Sequence, residues 1–317
     1  MGEFDLIARY FKRPVRRSPL GVGDDCALLA PAPGMQLAVS TDMLVEGRHF
    51  LSTVDPRHLG HKCLAVNLSD LAACGAQPLA FTLGLSLPQA DEAWLAPFAH
   101  GLLALADEHG CELVGGDTTR GPLVISITIF GEVPAGQALL RSGAQAGDEI
   151  WVSGQLGDAR LALEVFRGTR EVPQGVFESA RARMELPTPR VALGLALRGL
   201  ATAAIDVSDG LVGDLGHVLD ASGVGATLRA EAVAALPALA AAMAPQDRLD
   251  FALAGGDDYE LAFTAPAAAH EAVVVAGRTT GIALTCIGRI EAAPGLRLVD
   301  AEGRPVTRAV AAFDHFA

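Results

Sequence analysis

The stretch LAFTLGLSL, residues 79–87, sets leucine or phenylalanine at every second position: Leu79, Phe81, Leu83, Leu85 and Leu87. A helix would scatter these side chains around its axis. An extended chain puts all five on one face and the small or polar residues between them on the other. VISITIF (124–130) alternates in the same way, and MQLAVSTD (35–42) is a third strand candidate. Strands with one apolar face predict a largely antiparallel or mixed sheet covered on that side. Two helical stretches separate them. PRHLGHKCLAVNLSDLAACGA stops at Gly75, and a second helix runs from Asp91 to about His109 and stops at Gly110, because glycine readily takes the left-handed conformation that closes a helix. Interspersed strands and helices define an α/β (α+β) class.

PAGQALLRSGAQAGD (134–148) interrupts this pattern with glycine, proline and alanine, and the domain joint is placed there, giving an N-terminal domain over 1–137 and a C-terminal one over 138–317. The second series reads as strand EIWVSG, helices to about residue 200, strand AAIDVS and helix GLVGDLGHVLDAS. An alanine-rich helix near 232–243, strand YELAFT, a helix near 267–278 and strands near 282–290 and 296–300 complete it. No repeat of 20–50 residues is present.

The 317 residues are half hydrophobic, with a formal net charge of −13. That balance supplies real cores and argues against disorder. It also removes any general electrostatic case for nucleic acid. No apolar run reaches the roughly 20 residues that span a bilayer. The first residues lack a signal-peptide core, and Leu6 occupies the place where a myristoylation signal has Ser or Thr. A cytoplasmic protein is expected, with no membrane partner. Cys26, Cys63, Cys74, Cys111 and Cys286 are an odd number without a CxxC pair, which fits reduced thiols. His58 and His61 read as ordinary helix residues, and the basic run Lys12, Arg13, Arg16, Arg17 as the solvated end of a first helix.

The aspartates gather at strand ends beside glycine: GVGDD (Asp24, Asp25), STD (Asp42), GGDTT (Asp117), DVSDG (Asp206, Asp209) and GGDDYE (Asp257, Asp258, with Glu260). Each alone is a turn or cap signal. NLSD differs, because Asn67 and Asp70 share one face of an apolar helix. Asp70 therefore needs a partner: Lys62, a backbone donor or a metal. Convergent carboxylates tolerate one another when a hard cation such as Mg²⁺ lies among them, and such cations accept phosphate oxygens on their free positions. The chain has neither a GxxxxGK[ST] loop nor the protein-kinase motifs. Alternation puts Ser40 and Asp42 on one side of their strand, and Asp206 and Ser208 on one side of theirs. Asp158 in SGQLGDA reads as a helix N-cap.

GVGDDCALL, STDMLVEGRHF, KCLAVNLSDLAACGAQP, GGDTTRGPL, RSGAQAGD, DVSDGL, GGDDYEL and the closing FDHF occur in this order over nearly the whole chain. Together they resemble the thiamine-monophosphate kinase family, in the superfamily of aminoimidazole ribonucleotide synthetase. The resemblance implies a two-domain homodimer whose N-terminal sheets pair into a barrel. It implies transfer of the γ-phosphate of ATP to thiamine phosphate, the last step to thiamine diphosphate, with several Mg²⁺ ions and K⁺ as a candidate activator. It carries Asp25, Ser40, Thr41, Asp42, Asp70, Asp117, Asp206 and Asp209 over as metal ligands. Gly116, Asp117, Arg141 and Ser208 become nucleotide contacts, and His49, Asp257 and Phe313 substrate contacts. Asp257 stands where the family often has Glu, and Phe313 where it commonly has Tyr or Trp. No general base is expected, because the attacking phosphate oxygen is already ionised near neutral pH. The superfamily's other members fit less well: no glycine-rich segment carrying a reactive Cys and a Lys precedes Gly21, and the chain ends FDHFA rather than in a cysteine. A Mg-nucleotide-binding module without turnover is the non-enzymatic alternative.

Overall fold

A computed structural model describes residues 2–23 and 25–308. The chain divides into two compact units, one of residues 1–71 and 76–136, the other of 72–75 and 137–317.

The first unit follows the period-two pattern. It contains α1 (Glu3–Tyr10), β1 (Met35–Val45), α2 (Pro56–Ala73, whose last two residues fall in the other unit), β2 (Gln77–Leu87), α3 (Glu92–His109), β3 (Glu112–Arg120) and β4 (Val124–Pro134). The sheet order is β1-β4-β2-β3. Only β2 and β3 run parallel, so the sheet is mixed. Phe81 and Leu85 of β2, and Ile125, Ile127 and Ile129 of β4, are fully buried, the burial that drives such alternation. α3 starts at Asp91, which accepts the Ala93 N–H, and closes on Gly110 at φ 58°. Residues 112–120, read only as a motif at a strand end, form a full strand, so Asp117 lies inside β3. The basic run is pinned as well as solvated: Arg13 pairs with Asp107, Arg17 with Glu132, and Glu112 accepts the Arg16, Arg17 and Ser18 N–H groups.

The second unit contains β5 (Glu149–Ser153), α4 (Asp158–Phe166), α5 (Gln174–Glu185), α6 (Val191–Ala196), β6 (Ala203–Val207), α7 (Leu211–Ser222), β7 (Gly225–Arg229) and α8 (Ala230–Ala234). α9 (Pro245–Ala254), β8 (Glu260–Ala265), α10 (His270–Thr280), β9 (Leu284–Glu291) and β10 (Gly295–Val299) follow. Its sheet order is β10-β7-β9-β5-β8-β6, antiparallel except for β10 against β7. Every residue of β5, β6 and β8 is buried. The alanine-rich stretch is not one helix. Pro237 lacks an N–H and cannot continue α8, so a loop and a single 3-10 turn at Ala240–Ala242 separate α8 from α9. The Ala238 and Leu239 N–H groups freed there donate to Asp158 at 2.9 and 3.0 Å. Asp158 is accordingly not the cap of its own helix; that position belongs to Gly157 at φ 91°. Among the described residues no helix is long and apolar enough to cross a membrane.

Candidate active site

In the first unit, β1 turns Ser40 and Asp42 toward α2. Ser40 Oγ donates to Asp70 Oδ2, so Asp70 has a partner that its own helix does not supply. One turn earlier on α2, the fully buried Asn67 is oriented by Nδ2 donating to the Cys63 carbonyl at 2.9 Å. Its Oδ1 then accepts the Asp42 N–H at 3.3 Å. Burial pushes the Asp42 carboxyl up to about 7, and the Asp70 charge adds to the rise. Two half-buried carboxylates thus repel, with Ser40 bonded to the Asp70 carboxylate and Asn67 holding the Asp42 backbone. Such a set of hard oxygen donors with excess negative charge fits a divalent cation.

Thr41 lies on the opposite side of β1, where its hydroxyl meets that of Thr128 at 2.9 Å. Across the sheet, Asp42, Ile127, Leu83 and Gly116 stand in one register row. β1 and β3 are opposite edges, three strand spacings or about 14 Å apart. Asp117 belongs to the next row, with Gly84, Ser126 and Met43, and is exposed. Gly116 holds φ 144°, and a Cβ there would lie 1.9 Å from the Leu83 carbonyl oxygen, so only glycine fits. Asp25 is exposed in the irregular segment after Leu20. Asp24 lies outside the described residues. His49 closes the turn after β1, and its Nδ1 accepts the Val45 N–H at 3.0 Å. A backbone N–H can only donate, so Nδ1 carries no proton and Nε2–H is the donor that His49 offers.

In the second unit, Asp206 is a buried residue of β6, paired with Leu261 of β8. Ser208 and Asp209 follow in the loop that enters α7. Asp257 N–H donates to the Ser208 carbonyl at 2.8 Å and Tyr259 N–H to the Val207 carbonyl at 2.9 Å, which ties GGDDYE to DVSDG. Asp257 and Tyr259 have φ of 71° and 51°, the non-glycine positive values among the described residues. Backbone strain of this kind concentrates at functional loops. Between them, buried Asp258 accepts the Gly157 N–H at 2.9 and 3.1 Å. Burial pushes its carboxyl well up; the Gly157 bond opposes this, and the Glu260 and Asp158 charges add to it. Glu260 accepts from Ser153 at 2.6 Å, Arg190 Nε at 2.6 Å and Arg183 at 3.2 Å. Both acids therefore build the loop. Arg141 is exposed in the 137–148 segment, where Ser222 Oγ donates to its carbonyl at 3.2 Å. Phe313 lies outside the described residues.

Ser40, Asp42 and Asp70 are thus brought together in one unit; in the other, Asp206 near the end of β6 leads into the loop of Ser208 and Asp209, which is tied to the loop of Asp257. Among the described residues no three His, Cys, Asp or Glu side chains gather in metal-binding geometry. Asp214, absent from the sequence reading, touches the DVSDG loop directly: its Oδ2 accepts the Ser208, Asp209 and Gly210 N–H groups. Its one local signal is an acid in the first turn of a helix whose N-cap is glycine.

Comparison with known proteins identifies the family. Residues 23–133 match the AIR synthase related protein N-terminal domain, and residues 145–301 the C-terminal domain. The chain is 48% identical to the thiamine-monophosphate kinase of Salmonella typhimurium, covering 100% of this chain and 98% of that one. The crystal structure of thiamine-monophosphate kinase from Stenotrophomonas maltophilia K279a superposes with a TM-score of 0.85 at 46% identity, covering 96% of each chain. AaThiL complexed with AMPPCP and TMP superposes at 0.75 with 30% identity, covering 90% of this chain and 89% of that one.

Proposed function

The chain is a member of the thiamine-monophosphate kinase family, built from the two AIR synthase related domains, and from that premise we propose a division of labour among its acids in the ATP-dependent phosphorylation of thiamine phosphate. One observation carries the reading: half-buried Asp42 and Asp70 repel, with Ser40 bonded to the Asp70 carboxylate and Asn67 to the Asp42 backbone, and burial keeps that repulsion unscreened. Ser40, Asp42 and Asp70 would hold Mg²⁺ in the first unit, with Asp25 and Asp117 as its further carboxylates, and Asp206 and Asp209 would be the metal carboxylates of the second; the Thr41 side chain faces the other side of β1 and bonds Thr128, so it is left out of this set. Bound Mg²⁺ neutralises the phosphates so that two anions can approach.

The rest falls to the chain's own groups. A phosphate oxygen of thiamine phosphate attacks the γ-phosphorus in line, the bond from γ-phosphorus to the bridging oxygen breaks, and ADP leaves with that electron pair. The attacking oxygen carries no proton near neutral pH, its second pKa being about 6, so no residue serves as general base. Orientation and charge complementarity supply the acceleration. His49 offers Nε2–H to a substrate phosphate oxygen, Gly116 lets backbone approach the nucleotide, Ser208 offers it a hydroxyl, and Arg141 meets the phosphates. Asp257, held at positive φ, meets the cationic thiamine moiety; Phe313 is given the same role by the family resemblance alone. Leu37, Val39 and Met43 leave an exposed apolar row on edge strand β1, which supports pairing with a second copy.

ADP release from Mg-ATP, with and without thiamine phosphate, tests the reading in wild type and Asp70→Ala. Turnover that needs thiamine phosphate and collapses in the variant, with circular dichroism unchanged, is the expected result. Turnover independent of the acceptor would overturn the substrate assignment, and a fully active Asp70→Ala would remove Asp70 from the metal set.

A further inference from the structure

We propose that Asp214 is a positioning residue that fixes the DVSDG loop from behind and closes the N-terminus of α7 to phosphate. The residue is 4% exposed, and the single oxygen Oδ2 accepts three consecutive N–H groups: Ser208 at 3.0 Å, Asp209 at 3.1 Å and Gly210 at 3.1 Å. Successive amides converging at a helix start form the kind of cradle that elsewhere holds a phosphate. Here the chain's own side chain, four residues on, fills it. Gly210, the N-cap of α7, has no side chain to do so and stands at φ 115°. The phosphates of a nucleotide must then be met by side chains and cations rather than by these amides.

The same loop is braced on its carbonyl side. The Ser208 and Val207 carbonyls accept the Asp257 and Tyr259 N–H groups. A Cβ on Gly256 would sit 2.4 Å from the Ser208 oxygen, so the two loops touch backbone to backbone. With donors held by Asp214 and acceptors held by GGDDYE, residues 207–210 have little freedom left. The position of Asp209 is inherited from Asp214. Three bonds to one charged acceptor are strong, and their removal frees the loop without touching any ligand. The inference rests on the reading above for the roles of Ser208 and Asp209.

The test uses the full-length protein with Asp214→Ala and the near-isosteric Asp214→Asn. The first readout is amide hydrogen exchange of residues 208–210 in protein free of metal and nucleotide. The second is the Mg²⁺ concentration for half-maximal turnover of ATP and thiamine phosphate. Asp214→Ala is expected to lose protection at all three amides and to need about tenfold more Mg²⁺, with KM for thiamine phosphate within about twofold of wild type. Asp214→Asn, whose neutral amide oxygen accepts less strongly than a carboxylate, is expected to fall between Asp214→Ala and wild type in both readouts. Wild-type protection in Asp214→Ala, or lost protection with unchanged Mg²⁺ dependence, overturns the proposal. If Asp214→Ala does not fold, Asp214→Asn decides alone: intermediate values support the brace, wild-type values overturn it. A wild type without thiamine-phosphate-dependent turnover defeats the functional reading instead, and the exchange readout still decides whether Asp214 holds the loop.

Discussion

Ser40 of β1 and Asp70 of α2, 30 residues apart in the chain, are joined by a hydrogen bond from the serine hydroxyl to the carboxylate. The bond satisfies one oxygen of an acid set among apolar helix neighbours, and it fixes where that acid stands relative to Asp42. Neighbouring Asn67 holds the Asp42 backbone through the same helix. One strand and one helix face thus set the spacing of two repelling carboxylates.

Removing the serine hydroxyl leaves Asp70 free to turn. Ser40→Ala is expected to keep the fold and to lower kcat/KM for ATP by about tenfold, the worth of one bond to a charged group. Asp42→Asn should cost less in the Ser40→Ala background than it does alone, because both changes act on one cluster. Steady-state kinetics of the two single variants and the double variant check this; strictly additive losses would separate the two residues.

His49 should exist as the Nε2–H tautomer, since Val45 N–H occupies Nδ1. Nitrogen-15 NMR of labelled histidine is expected to show one protonated and one bare ring nitrogen. His49→Ala should raise KM for thiamine phosphate by about tenfold while KM for ATP stays within twofold, the pattern of one lost substrate bond. An equal rise in both would place His49 outside the acceptor site.

Glu260 holds Arg190 and Arg183 in the interior, with side-chain exposures of 1%, 14% and 31%. Glu260→Gln removes the carboxylate that Arg190 and Arg183 contact directly. The expected destabilisation is about 3 kcal/mol in urea unfolding, the usual cost of breaking a buried pair. A change within about 0.5 kcal/mol, the range of ordinary surface substitutions, would mean that water or Ser153 replaces the carboxylate.

Asp258 titrates upward in the folded protein because burial disfavours its charge. Its folded value exceeds its unfolded value of about 3.9, so the folded state binds the extra proton. The stability from this group is fully present below the unfolded pKa and is lost as pH rises through the folded one. Asp258→Asn keeps an acceptor for Gly157 N–H and cannot ionise. Relative to wild type, the variant should therefore gain stability as pH rises; Glu112, whose own contribution also rises with pH, is common to both proteins and cancels. Backbone donors from Arg16, Ser18 and Arg17 hold Glu112 below its usual range despite the upward push of burial. Urea midpoints of both proteins across pH 4–8 check the sign, and parallel curves would refute it.

What the sequence determined by itself was local. Period-two runs located β1, β2 and β4, helix stops fell at Gly75 and Gly110, which adopt φ of 63° and 58°, and Ser40 and Asp42 shared a side because a strand alternates. The motif order also led to the family. Tertiary structure decided the partners. Glycines at 115 and 116 hid a strand in GGDTT, because β3 draws its order from pairing with β2. Pro237 broke a run of alanines that composition alone reads as helix. Asp158 left its own helix terminus for amides 80 residues away, and Asp258 reached a Gly157 amide 101 residues away. Short-range backbone preferences are written in neighbouring residues, whereas a buried carboxylate takes whichever donor the packed chain brings within 3 Å, and that depends on contacts between segments that no local pattern records.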